Sequence, residues 1–207
     1  MAYVKWTFIS IIVLVIAGFL HYTLPQHDVV RIISTKERQV TLGDNAFFYS
    51  GAAPGNAESG NQRFINFIET FTPNGKPVVF RNQDTGWGWP PYFKFDTSNL
   101  QAKASDLVST KEDPQWVVVT HYGWRNEYLS IYPNAVEIEP VDSPDVTIIP
   151  WFNIVFLSLL ALLVLWIWRV VARFRERRID PMLEDMGETF DAAGERAEGF
   201  WRRIFGR

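Results

Sequence analysis

Two long apolar segments dominate the pattern of hydrophobic and polar positions, at residues 6–24 and 146–168. Neither segment contains an Asp, Glu, Lys or Arg. At about 1.5 Å of rise per residue, each is long enough as a helix to cross a hydrocarbon core of roughly 30 Å. A helix also satisfies its own backbone hydrogen bonds, as lipid requires. The pattern therefore predicts two transmembrane helices that bracket a domain at residues 25–145.

The first span has two interpretations. The short stretch 1–5 resembles the start of a signal peptide, but Ala17-Gly18-Phe19 offers no clean cleavage site of small residues. The apolar run also continues to Leu24, before Pro25 ends it. We therefore expect an uncleaved signal anchor. Cleavage would leave a single-span protein with the same topology.

The second span carries signals at both of its ends. Ser143 and Asp145 are candidate N-caps, and Pro150 is expected in the first helical turn, where proline is tolerated. Tryptophans concentrate where an aromatic belt would meet the two membrane surfaces. These belt residues are Trp151, Trp166 and Trp168.

Asn153 is a polar side chain within the second span. One interpretation is a hydrogen bond near the outer headgroups, and the other is a contact between helices. Two spans per chain form few transport folds, so a channel or transporter would need an oligomer of this chain.

Basic residues predict the orientation. The second span is followed by arginines, which are retained on the cytoplasmic side; they include Arg169, Arg173 and Arg175. Residues 1–5 and 169–207 are then cytoplasmic, and 25–145 lies outside. The stretch 26–145 carries 15 acidic and 10 basic side chains and shows no basic stripe. Nucleic acid is therefore an unexpected partner.

The outer domain has mostly β-type patterns. Strands are expected at 29–33 with a continuation at 38–42, at 64–71, at 78–81, at 116–120 and at 135–139, with a loop at 43–61. Asn74-Gly75 predicts a tight turn, and Ser98 or Asn99 could cap a short helix through Val108. The order of three strands, one helix and two strands matches an OB-type small barrel. An α+β arrangement with a small open sheet is the alternative.

Two aromatic stretches, 82–96 and 121–135, hold the candidate functional residues. Their tryptophans and tyrosines have four interpretations: core packing, a partner surface, a small-ligand site, or contact with the membrane surface. The candidate partner or ligand residues are Asp84, Trp87, Trp89, Tyr92, His121, Trp124 and Arg125.

Catalytic and metal-binding patterns are sparse. The chain has no Cys and 3 His, which excludes disulfides and thiolate sites and fits no metal spacing. Asp84, Asp96 and His121 converge only if the strands pair suitably. Asp84-Thr85-Gly86 resembles the aspartic-protease triplet, but it lacks the apolar flanking strand. The sequence therefore predicts a protein that is not an enzyme and has no cofactor.

The tail has a heptad stripe of apolar residues between 183 and 204 and ends in mixed aromatic and cationic residues. This pattern predicts an amphipathic helix on an anionic membrane surface. A partner helix and a largely disordered tail are the alternatives.

Several of these stretches resemble a bacterial family, domain-of-unknown-function family 1523. The likeness rests on Asp-Thr-Gly-Trp-Gly-Trp-Pro-Pro-Tyr-Phe-Lys-Phe-Asp at 84–96, His-Tyr-Gly-Trp-Arg at 121–125 and Ser-Ile-Tyr-Pro-Asn-Ala at 130–135. Ile-Pro-Trp-Phe-Asn at 149–153 and Phe-Arg-Glu-Arg-Arg-Ile-Asp-Pro at 174–181 extend it over nearly the whole chain. The resemblance implies a bacterial inner-membrane protein with a periplasmic domain. It implies no activity, cofactor or catalytic residue.

The leading functional hypothesis is a non-enzymatic accessory subunit whose periplasmic module and cytoplasmic helix bind other membrane or envelope proteins, or a second copy of the chain. The second hypothesis is a receptor that binds an envelope glycan or another small ligand on Trp87, Trp89 and Tyr92.

Overall fold

A computed structural model describes residues 2–41, 44–49 and 62–179 of the chain. The helices are α1 (Ala2–Thr23), α2 (Thr97–Asp106) and α3 (Trp151–Phe174). The strands are β1 (Gln26–Thr41), β2 (Gln62–Phe71), β3 (Pro77–Asn82), β4 (Trp116–Tyr122) and β5 (Asn134–Val141). A 3₁₀ helix spans Asp44–Phe48, and a π-helical turn follows α3 at Arg175–Ile179.

The five strands pair in the order β1-β2-β3-β5-β4, and β4 also pairs with β1, so the sheet closes on itself. Antiparallel ladders join every neighbouring pair except β3 and β5, which run parallel and meet at Arg81 and Asn134. The long β1 makes this closure possible, since its first half pairs with β4 and its second half with β2.

The core lies inside the closed sheet and is covered by α2. Alternate residues of each strand enter it, as the period of two along a strand requires. Its buried members are Val30, Ile32, Ile68, Phe80, Leu100, Ala104, Val117, Val119, Ala135 and Ile138. A second, smaller cluster outside the sheet combines Tyr49, Ile65 and Phe67. These two clusters hold the strands that position the functional candidates.

The helices α1 and α3 are each long and apolar enough to span a membrane by length and composition. In the most apolar 18-residue stretch of each helix, no residue is buried. Pro25 follows α1, and its fixed φ and missing amide end the helix there. Ile154–Arg207 forms a separate compact unit, of which residues 154–179 are described.

Helix α3 begins at Trp151, later than the predicted second span, which begins at residue 146. Residues 146–150 belong to no helix, so neither Ser143 nor Asp145 caps it, and Pro150 precedes the helix instead of lying in its first turn. The reason is steric, because proline disfavours the helical conformation of the residue before it. The helix also continues past Trp168 to Phe174. It therefore lies further toward the C-terminus than the predicted span 146–168.

Most of the predicted strands correspond to observed ones. The turn at Asn74-Gly75 is present, with Gly75 at a φ of 74°. The segments 29–33 and 38–41 belong to one continuous strand, β1, and form no hairpin. Residues 42, 43 and 50–61 lie outside the described residues, as does the predicted tail helix within 180–207.

Candidate functional site

Aromatic rings gather where α1 meets the sheet. Tyr22, in the last turn of α1, is 5% exposed and lies at the centre of this group. Its ring stacks on Trp89 at 6.1 Å and meets Trp124 edge-on at 5.3 Å. Phe48 and Tyr92 complete its surroundings at 6.1 and 5.7 Å. We call these five residues the junction cluster. It fastens the end of α1 to loops of the β domain.

Both indole N–H groups of the junction cluster have acceptors. Trp89 Nε1 donates to the Phe47 carbonyl at 2.8 Å, and Trp124 Nε1 donates to His21 Nδ1 at 2.9 Å. The two bonds fix the orientation of the indole rings.

A different set of rings lies in solvent. Trp87 is 84% exposed, and Phe93 and Phe95 are each 56% exposed. The Trp87 ring contacts both phenyl rings, at 5.6 and 5.4 Å. We call these three residues the aromatic patch. Phe93 also has a φ of 51°, in the left-handed region that non-glycine residues rarely adopt. The exposed rings are thus presented by a locally strained backbone.

The structure therefore places Trp87 and Trp89, which the sequence predicted on one surface, in two different groups of rings. Trp87 belongs to the aromatic patch, whereas Trp89 packs in the junction cluster. Tyr92 is 4% exposed and stacks on Tyr122 at 5.0 Å. Burial raises the pKa of the Tyr92 phenol, and the neighbouring Tyr22 raises it further. A ligand in solvent has no access to its ring.

Arg125 and Asp84 have structural partners. Arg125 Nη1 donates to the carbonyls of Asn126 and Ile131 at 3.0 and 2.9 Å, and its guanidinium lies 4.4 Å from the ring centre of Tyr132. These contacts hold the loop between β4 and β5. Asp84 Oδ1 accepts from the backbone N–H of Thr97 at 3.0 Å and from its hydroxyl at 2.7 Å. Its charge thus lies at the start of α2, where anions are favourable.

The sequence left open whether Asp84, Asp96 and His121 converge, and in the structure Asp84 and His121 have other partners. His121 Nε2 lies 3.1 Å from Asp28 Oδ2, and no local pattern predicts this pair because the two residues are 93 positions apart. Asp84 is engaged with Thr97, and Asp96 precedes α2 without a side-chain capping bond.

A polar groove of about 480 Å³ contains the Asp28–His121 pair. Its described lining includes one hydroxyl-bearing residue, Thr72. That hydroxyl is engaged with the backbone of Lys76, which it accepts from at 3.1 Å and donates to at 3.2 Å. The described lining of the groove therefore holds no free hydroxyl beside the pair. Within 2–41, 44–49 and 62–179, no group of His, Asp and Glu has metal-binding geometry.

Two buried cations were not anticipated from the sequence. Arg81 is 1% exposed, and its Nε and Nη1 have no hydrogen-bond partner. Burial lowers the pKa of its guanidinium, while the phenols of Tyr92, Tyr22 and Tyr49 act in the opposite direction. Its guanidinium is too deeply buried for a ligand in solvent, so we assign it a structural role on the outer side of β3.

Lys94 is 3% exposed and donates to Asn82 Oδ1 and to the Ala135 carbonyl, the latter at 2.5 Å. Burial lowers the pKa of its ammonium to about 7, although the charge of Asp84 opposes this effect. Both cations lie in stretches that the sequence marked only as a strand and as an aromatic motif.

Comparison with known proteins assigns the chain to a family. The model of the family described as "Protein of unknown function (DUF1523)" matches residues 1–175. The chain belongs to this family. An uncharacterized protein from Haemophilus influenzae is 35% identical over 157 residues, which cover 72% of this chain and 85% of the relative. The DUF1523 match includes both apolar helices and the whole β domain. No solved structure matches the chain.

Proposed function

We propose that this DUF1523 protein is a membrane-anchored interaction subunit that performs no catalysis. Its β domain would stand in the bacterial periplasm, held by two transmembrane helices with both termini in the cytoplasm. There it would contact another membrane or envelope protein. The cytoplasmic residues 169–207 would provide a second binding segment.

The membrane setting rests on the two apolar helices and on the basic end of the second. Arg169 and Arg173 belong to the last turns of α3, and Arg175 follows in the π-helical turn. This arrangement supports retention of that end in the cytoplasm. We further propose that the β domain is an OB-type barrel. The strand order, with a parallel β3–β5 pair and a helix between β3 and β4, supports this assignment.

The aromatic patch is the observation that carries the interaction role. Phe93 and Phe95 each contact Trp87, yet all three remain more than half exposed, so the fold does not use them as core. Aromatic residues are enriched at the centres of protein interfaces, where truncating a hot-spot side chain costs about 2 kcal/mol or more.

The geometry disfavours the glycan receptor built on Trp87, Trp89 and Tyr92. A sugar-stacking platform needs its rings exposed on one surface. Tyr92 is buried, and Trp89 is stacked on Tyr22. Trp87 remains available from that set, and it belongs to a different group of rings.

Site-specific crosslinking tests the proposed interface. A photo-reactive phenylalanine analogue would replace Trp87 in one variant and Tyr128 in a control variant. Trp87 is 84% exposed and Tyr128 is 99% exposed, so we expect both positions to tolerate the analogue. We expect a stoichiometric adduct with one membrane protein from position 87 and not from position 128. Trp87→Ala should remove the copurifying partner while leaving the melting temperature unchanged. Equal adducts from both positions would contradict the proposed surface.

The absence of cysteine gives a direct test of topology. A single Tyr128→Cys variant provides the chain's sole thiol, at an exposed site of the β domain. In intact cells with a permeabilised outer membrane, a membrane-impermeant maleimide should label it. Arg177→Cys, beyond α3, should be labelled only after the inner membrane is opened. The reverse pattern would overturn the proposed orientation.

A further inference from the structure

A small apolar pocket lies beside the last turns of α1. Its volume is about 190 Å³. Gly18, Phe19 and Tyr22 of α1 form one wall, and Phe47, Trp89 and Trp124 of the β domain form the opposite side. All its described lining residues are apolar or aromatic, and the two indole N–H groups are already bonded to Phe47 and His21. The pocket therefore offers shape and apolar surface to a ligand and no free indole donor.

The position of the pocket along α1 indicates what fills it. Gly18 and Phe19 lie inside the apolar span Tyr3–Thr23. Phe19 precedes the end of that span by four residues, which corresponds to about 6 Å of helix rise. In a bilayer the mouth of the pocket is thus at the level where headgroups give way to hydrocarbon. The ring of Phe19, half exposed, stacks on Trp89 at 6.3 Å across this level.

An empty pocket of this composition would be unfavourable. The pocket is open on one side, and its rings Phe47 and Trp124 are 62% and 41% exposed. Water in contact with this apolar surface finds no hydrogen-bond partners there, so covering the surface with an apolar group is favourable. The molecules present at that depth in a bilayer are the acyl chains of the surrounding lipids.

We propose that this pocket binds the acyl chain of a phospholipid from the periplasmic leaflet. The inference rests on the membrane insertion in the proposed function. The lipid chain lies between Gly18 and the stacked rings of Trp89 and Tyr22, so the annular lipid becomes part of the contact between α1 and the β domain.

Gly18 allows a test that leaves the fold intact. A Cβ atom added at Gly18 meets no atom within 4 Å, so a larger side chain there enters the pocket without a backbone clash. Gly18→Leu therefore fills the pocket. Ala17→Leu is the matched control, because it adds a similar side chain to the neighbouring exposed position, about 100° around the helix and outside the pocket lining.

The experiment uses the full-length protein in vesicles that contain a phospholipid with a photo-reactive diazirine in one acyl chain. Adducts are mapped by mass spectrometry after irradiation. We expect adducts on Phe19, Phe47 and Trp89 in the wild type and in Ala17→Leu, and loss of most of them in Gly18→Leu. Equal labelling of these residues in all three proteins would overturn the pocket as a lipid site. Crosslinking to a second polypeptide in place of lipid would overturn it as well.

Vesicle flotation and alkaline extraction separate this outcome from failure of the proposed function. A chain that does not float with the vesicles contradicts membrane anchoring itself, and the lipid site with it. A chain that floats and resists extraction, but shows no Gly18-dependent adducts, retains the proposed anchoring and loses the lipid site.

Discussion

The guanidinium carbon of Arg81 lies 4.7 Å from the centre of the Tyr49 ring. Arg81 thus rests on an aromatic face while two of its N–H groups have no hydrogen-bond partner. A cation–π contact returns about 0.5 to 2 kcal/mol. Burying a charge without a full set of hydrogen-bond partners costs more than this, and burial lowers the pKa of the Arg81 guanidinium. Tyr49 therefore offsets only part of the cost of burying Arg81.

This balance predicts that Arg81→Met is at least as stable as the wild type. Methionine keeps most of the apolar volume and removes the unpaired N–H groups. Arg81→Ala should instead lose about 2 kcal/mol or more, since it leaves a cavity beneath Tyr49. Urea unfolding in detergent would measure both. A loss from Arg81→Met as large as that from Arg81→Ala would show that the charge itself stabilises the fold.

The glycine before Trp124 has a steric requirement as well as a conformational one. Gly123 has a φ of 87°, and a Cβ atom there would lie 2.8 Å from the hydroxyl oxygen of Tyr92. Tyr92 is buried against Tyr122 and has little room to move. Gly123→Ala should therefore lower the melting temperature and disturb the junction cluster.

Gly75→Ala is the control for this prediction. Gly75 has a similar φ of 74°, but nothing lies within 4 Å of an added Cβ. It should cost about 1 kcal/mol for the left-handed conformation alone. Equal losses at the two positions would mean that Tyr92 yields without penalty.

Lys94 predicts a dependence of stability on pH. Its ammonium has a pKa of about 7 in the folded protein against an ordinary value of 10.5. Between these values the unfolded chain binds more protons than the folded one, so the free energy of unfolding rises as pH increases through this interval. The slope that Lys94 adds is at most about 1.4 kcal/mol per pH unit. This slope vanishes below pH 7, where Lys94 is protonated in the folded and the unfolded chain.

Urea unfolding between pH 7 and 10 measures the slope. Lys94→Met should flatten it, whatever its effect on absolute stability. Lys103→Met, at an exposed position of α2, should leave the slope unchanged. An unchanged slope in Lys94→Met would assign the pH dependence to other groups.

We expect the Asp84 carboxylate to stabilise the start of α2. Its carboxylate accepts two hydrogen bonds from Thr97, so Asp84→Ala should cost about 1 kcal/mol, as loss of a helix cap does. Asp96→Ala is the matched control, since Asp96 makes no capping bond. Thermal unfolding distinguishes the two. A smaller loss from Asp84→Ala than from Asp96→Ala would contradict the capping role.

Local pattern predicted the elements of the β domain well, but it missed the full extent of β1. Alternation located β2 to β5, and Asn74-Gly75 located the turn between β2 and β3. The length of β1 was missed, because Ser34 to Glu37 interrupt its apolar alternation while its register with β2 shifts between Ile32 and Ser34. A polar stretch with an irregularity in pairing looks like a turn in sequence.

The fate of individual side chains depends on contacts far away in the chain. Trp87 and Trp89 share one motif, yet Trp89 stacks on Tyr22 of α1 whereas Trp87 contacts Phe93. Residues 83–96 have no regular period from which the two directions could be inferred. The burial of Arg81 and Lys94, and the Asp28–His121 pair, likewise arise from tertiary packing that no local pattern encodes.

Asn153 makes a contact that neither sequence interpretation described. The interpretations were a hydrogen bond near the outer headgroups and a contact between helices. In the structure its Nδ2 donates to the Pro25 carbonyl at 2.8 Å, and Pro25 lies just after the end of α1.

Between the end of α1 and the start of β1 there are two residues, Leu24 and Pro25. Leu24 still donates to the Leu20 carbonyl at 2.8 Å, and Pro25 is rigid. A module on a flexible tether samples a volume that grows with its linker and collects partners from solution. This one has no such freedom: its height and tilt follow those of the helix below it. In the proposed membrane, a partner would have to arrive by lateral diffusion with a surface at the matching height, and any rotation of the anchor would turn the β domain with it.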